Sequence, residues 1–110
     1  MEELPIFVRT FGNGPVIKVL NFLLQGRGLD YSMSDVARNS DISWTTLNRI
    51  WEGLEKAGLI VNTRKIGKAK LYKLNEESDI VKKLVELHKQ LLVKETEDYF
   101  VKKKTVKAIA

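Results

Sequence analysis

Hydrophobic residues recur three and four positions apart over most of this chain, the spacing that marks one face of a helix. The first such run is Val16, Val19, Leu20, Leu23 and Leu24. Pro15 suits its first position, where a missing N–H costs nothing, and Gly26 and Gly28 end it. A shorter helix begins after Ser32. That serine can cap it, Asp35 supplies the acidic half of a capping-box pattern, and Tyr31 and Val36 stand as a hydrophobic staple. The device repeats at Ser43, with Ile42 and Leu47 as the staple and Leu47, Ile50, Trp51 and Leu54 as a buried stripe. Lys56-Ala57-Gly58 closes this third helix with a basic last turn and a glycine at the left-handed cap position.

Two stretches break from helical spacing. Residues 4–11 are rich in β-branched and aromatic types and predict an extended arm or strand, ended by Gly12-Asn13-Gly14. Residues 59–63 and 69–74 predict two strands joined through Lys65-Ile66-Gly67-Lys68, a β-hairpin directly after the third helix. Asn75 then caps a long helix whose first turn carries Glu76, Glu77 and Asp79, favourable to the helix dipole. Ile80, Leu84, Leu87 and Leu91 form one line on it, and Val81, Val85, His88 and Leu92 an adjacent one. Together they cover an arc of about 160°, whereas covering one domain needs roughly 100°. The excess predicts a second partner, and a symmetric dimer is the commonest solution. Ile80, Leu84, Leu87, His88, Leu91 and Leu92 are the expected dimer residues.

The chain is therefore expected to be mainly α with a small β-hairpin. It divides into an N-terminal arm (1–13), a three-helix-plus-hairpin domain (14–74), a dimerisation helix (75–100) and a basic, unstructured tail (101–110). With 110 residues, this is one domain with terminal extensions. Gly53 stands inside the third helix, where it costs about 1 kcal/mol relative to alanine and marks a bend or a close backbone contact.

Charge sharpens the picture. The net charge of +5 is concentrated rather than spread. Residues 62–73 hold Arg64, Lys65, Lys68, Lys70 and Lys73 with no acid among them, and Lys102, Lys103, Lys104 and Lys107 fill the tail. A hairpin bearing uncompensated cations favours a polyanionic partner. Absence of cysteine excludes disulfides and thiolate metal sites and fits a reducing compartment. No apolar run is long enough to span a bilayer, and the N-terminus lacks the pattern of a signal peptide, so a cytoplasmic protein is expected. A single histidine, serines at caps and turns, and no phosphate-binding loop leave no enzyme hypothesis standing. No cofactor or metal is expected. His88 reads as a core or interface residue, with no second ligand near it in sequence.

The segments Tyr31-Ser-Met-Ser-Asp-Val-Ala, Ile42-Ser-Trp-Thr-Thr-Leu-Asn-Arg-Ile and Leu54-Glu-Lys-Ala-Gly-Leu-Ile resemble a prokaryotic winged helix-turn-helix regulator. The resemblance covers roughly residues 14–74, is similar to the family of MarR-like and ArsR-like repressors, and is closest to small archaeal members. It implies transcriptional regulation and double-stranded DNA as the partner, with the helix after Ser43 in the major groove. Trp44, Thr45, Asn48 and Arg49 would then point outward. Arg49 can read guanine and Asn48 adenine, while Thr45 and Thr46 suit phosphate or a thymine methyl. Ser43, as the cap, and Ser32, at the preceding helix start, join the expected contacts. Arg64, Lys65, Lys68 and Lys70 would lie over the adjacent backbone or minor groove. Family members usually carry a small or charged residue where Trp44 stands. It is therefore either a groove contact or a cover for the seam between the first and third helices. Two other functions stay open: a winged-helix module that docks onto protein, and an architectural or plasmid-maintenance DNA binder. The effector, if there is one, is not written in the residues.

Overall fold

A computed structural model describes the backbone of residues 3–109 and the side chains of residues 3–101. Five helices and three strands run in the order α1 (Ile6–Phe11), α2 (Pro15–Gln25), β1 (Tyr31–Ser32), α3 (Met33–Asn39), α4 (Trp44–Lys56), β2 (Ile60–Ile66), β3 (Ala69–Leu74) and α5 (Asp79–Ile109). The strands form one antiparallel sheet in the order β1-β3-β2.

Both serine caps form as their spacing predicts. Ser32 Oγ accepts from the Asp35 N–H at 3.1 Å, and Ser43 Oγ accepts from the Thr46 N–H at 3.1 Å. The Asp35 carboxylate does not complete a capping box; it accepts from Arg38 Nη2 at 2.5 Å instead. Each helix of the pair closes in the same way. Ile42 N–H bonds back to the Ala37 carbonyl at 3.1 Å, and Leu59 N–H to the Leu54 carbonyl at 3.0 Å. Such an ending needs a left-handed residue just before the donor. Gly58 fills that place with φ +73°, and Asp41 fills the other with φ +56°. Aspartate is among the side chains that tolerate this region. The turn between α3 and α4 is thereby fixed by backbone geometry.

The core gathers Val19, Leu20, Leu23 and Leu24 of α2, Val36 of α3, Leu47, Trp51 and Leu54 of α4, and Ile60, Tyr72 and Leu74 of the sheet. Trp51 meets Tyr72 edge-on, with ring centroids 5.0 Å apart, a favoured geometry that ties α4 to the hairpin. Around Gly53 there is open space, with no atom within 4 Å of where a side chain would begin. It marks no close backbone contact, and the structure gives no reason for a glycine there.

Three expectations need correction. Residues 6–11 are helical, not extended. Phe7 and Val8 are buried, and burying that pair on one helical face outweighs the strand preference of β-branched and aromatic residues. The cap of α5 is Ser78, not Asn75, because Asn75 is held at the end of β3 by bonds to the Leu59 and Gly58 carbonyls. Ser78 Oγ accepts from the Val81 N–H at 3.4 Å, and its carbonyl accepts from Lys82. Finally, α5 continues as helical backbone to Ile109, across the boundary expected at residue 101. The four tail lysine side chains lie outside the described residues.

Candidate nucleic-acid interface

The amphipathic pattern of α4 decides which residues it offers. Leu47, Trp51 and Leu54 are buried, which turns Thr45, Asn48, Arg49 and Glu52 outward. Asn48 Nδ2 donates to the Trp44 carbonyl at 2.9 Å, which leaves its amide oxygen facing solvent. Arg49 is exposed and makes no hydrogen bond or ion pair among the described residues. Glu52 pairs with Lys56 at 2.9 Å, a full turn further along. Thr46 is half-buried, and its hydroxyl accepts from Ser43 Oγ at 2.9 Å, so both serve the cap.

The hairpin lies beside this face. Lys65, Lys68 and Lys70 are exposed and meet no carboxylate among the described residues. Arg64 differs. Its Nε and Nη2 donate to the two carboxylate oxygens of Asp30 at 2.9 and 3.1 Å, a bidentate pair. Thr63 Oγ1 adds a third bond to Asp30 at 2.6 Å. These bonds, Arg64 first, hold the Asp30 carboxyl at a pKa of about 2, and the same pairing raises that of Arg64. Arg64 was expected to be a free cation over the backbone and is instead an internal tie. No local signal marks Asp30, because its partner is 34 residues away.

A shallow groove of about 210 Å³ joins the elements, lined by Ser32, Ser34, Trp44, Lys68, Lys70 and Tyr72 among others. Trp44 is 53% exposed. It lines this groove of the protein surface beside Lys68 and Lys70. Ser32, Trp44, Lys68 and Lys70 are thus brought together, with Thr45, Asn48 and Arg49 on the adjoining outer face of α4.

The face expected to pair with a second copy divides in two. Val81 is fully buried, Leu84 and Leu91 pack half-buried against the core, and Leu87 is half-buried too, while Ile80 and Leu92 are exposed. His88 is 8% exposed, and its ring stands edge-on to Phe7 with centroids 6.0 Å apart. Its cover is the chain's own α1 rather than a partner. Burial, and then the charge of Arg27, lowers its pKa from 6.5. Beyond it Arg9 of α1 pairs with Glu95 of α5. Exposed apolar side chains then continue along α5 at Leu92, Val93, Tyr99, Phe100 and Val101. A groove of about 800 Å³ runs between the two helices, past Ile6, Arg9, Leu91, Glu95, Tyr99 and Phe100.

No helix is long and apolar enough to cross a membrane, and no group of three or more His, Asp and Glu converges as a metal site; both hold among the described residues. By sequence the chain matches no protein-family model and no curated protein. By structure it is similar to the apo form of a mutant ZitR of Lactococcus lactis, with TM-score 0.59 and 17% identity over 93% of this chain and 86% of that one. It is also similar to AdcR, the adhesin competence repressor of Streptococcus pyogenes, with TM-score 0.59 and 13% identity over 80% of this chain and 65% of that one. A third similar structure is CouR, a transcriptional repressor bound to a 23-mer DNA duplex, with TM-score 0.54 and 16% identity over 94% of this chain and 84% of that one. The fold is a winged helix-turn-helix: α2, α3 and α4 with β2 and β3 as the wing, and α5 as a long C-terminal helix.

Proposed function

We propose that this protein is a sequence-specific double-stranded DNA-binding protein of the cytoplasm, a transcriptional regulator that acts as a homodimer. Residues 14–74 form the DNA-binding unit, and the helix of residues 75–100 is the means of pairing. The observation that carries this reading is an outward polar side of α4 beside a cationic wing that meets the start of that helix at Trp44. Arg49 and Asn48 stand exposed on α4, next to a wing whose Lys65, Lys68 and Lys70 are unneutralised. The first pair has the chemistry to read base edges, and the lysines have the chemistry to neutralise phosphates. The likeness to CouR bound to a DNA duplex and to ZitR in complex with DNA supports duplex DNA as the partner.

Fluorescence anisotropy on a labelled random duplex at two salt concentrations tests the reading. Binding should weaken steeply with salt, because each neutralised phosphate releases counterions. Charge reversal at Lys65, Lys68 and Lys70 should weaken all duplexes about equally. On a selected site, Arg49→Ala should cost about 1–3 kcal/mol and relax preference at one base position. Absent or salt-independent binding would instead favour a protein-docking module.

A further inference from the structure

The aim of the wing depends on a residue outside it. β3 is the central strand, with β1 and β2 on its two sides. Asp30, immediately before β1, nevertheless reaches β2, where it accepts two bonds from Arg64 and one from Thr63. Its side chain is only 17% exposed, while that of Arg64 is 62% exposed. Thr63 is the point where the ladder slips. Asn62 lies opposite Tyr72 and Arg64 opposite Leu71, so Thr63 has no partner across the strands. Such a bulge bends its strand, increases the local twist and re-aims the residues beyond it. In this hairpin those residues are Lys65 and the turn that carries Lys68. Both side chains beside the step turn back to one carbonyl: Asn62 Nδ2 donates to Leu71 O at 2.9 Å, and Thr63 Oγ1 lies 3.2 Å from it.

We propose that Asp30 is a positioning residue for DNA binding: its grip on Arg64 and Thr63 locks the bulge and holds the lysine-bearing wing at one angle to α4. This rests on the duplex-binding reading above. The direction of the effect separates charge from positioning. A carboxylate beside a phosphate-facing wing repels DNA, so by charge alone its removal strengthens binding. As a positioning group, its removal weakens binding.

Asp30→Asn is therefore expected to lower affinity for random duplex about fivefold, within the range of couplings between contacting residues. Arg64→Lys keeps the charge and loses the two-pronged geometry, and should do the same. In both, the slope of log affinity against log salt should become shallower by about one contact per protomer, because a loosened wing engages fewer phosphates at once. Partial unfolding would reduce the active fraction and leave that slope alone. Binding by Asp30→Asn as tight as the parent or tighter, with an unchanged slope, overturns the proposal. Amide hydrogen exchange of the free protein separates this from failure of the duplex reading. Faster exchange across residues 65–70 in Asp30→Asn upholds the lock even if the parent ignores DNA, and unchanged exchange refutes it.

Discussion

Two glycines five residues apart respond oppositely to the same substitution. Gly53 lies inside α4 with open space around it and no positive φ, so Gly53→Ala should stabilise the protein by about 1 kcal/mol, the helix-propensity difference. Gly58 holds φ +73°, where a Cβ crowds the carbonyl, so Gly58→Ala should destabilise by roughly 1–2 kcal/mol. Chemical denaturation of the two variants would show midpoints moving in opposite directions. Features of this kind are written locally. Ser32 and Ser43 bond three residues ahead, and Gly58 comes just after its helix, so all were readable from spacing. The exposure of Arg49 was equally legible, since Leu47 and Trp51 face inward. Asp30 was not. Its partners are 33 and 34 residues away and meet it only because a third strand brings them level.

At the level of elements, the chief surprise is α1. Its six residues look like a strand when read alone; α2 and, some eighty positions later, α5 provide the surface that makes a helix better. Phe7 is the anchor. Phe7→Ala should cost about 3–5 kcal/mol in unfolding free energy, a large share of the roughly 5–15 kcal/mol that holds a domain together. The same contact makes α1 and α5 sensitive to acid. His88 is held uncharged by burial and by Arg27, with its pKa below 6.5. The unfolded chain therefore binds the proton more readily. The stability His88 contributes is complete above pH 6.5 and is lost as pH falls through its lower folded value. Calorimetry should show a melting temperature that declines below pH 6.5, and His88→Gln should flatten that decline before the carboxylates titrate. The cap of α5 departs from the sequence pattern for a similar reason: Asn75 has the right chemistry, but the end of β3 claims it first.

The whole molecule is long, 60 Å by 31 Å by 22 Å, because α5 carries on past the packed domain. From Leu92 to Val101 every residue is exposed. Sedimentation should give twice the chain mass. Leu92→Lys and Phe100→Glu should return it to a single chain without unfolding it, because neither side chain is in the core. With three free wing lysines on each of two chains, the salt slope of duplex binding should be about −5. A helical stretch that buries little of its surface is marginal in water. In an isolated protomer the exposed stretch of α5 over residues 92–101 should fray, and it should wind up again as copies associate. The helical signal of this protein should accordingly follow mass action. Circular dichroism at 222 nm, normalised per residue, would rise with protein concentration along the same isotherm as the mass measured by sedimentation.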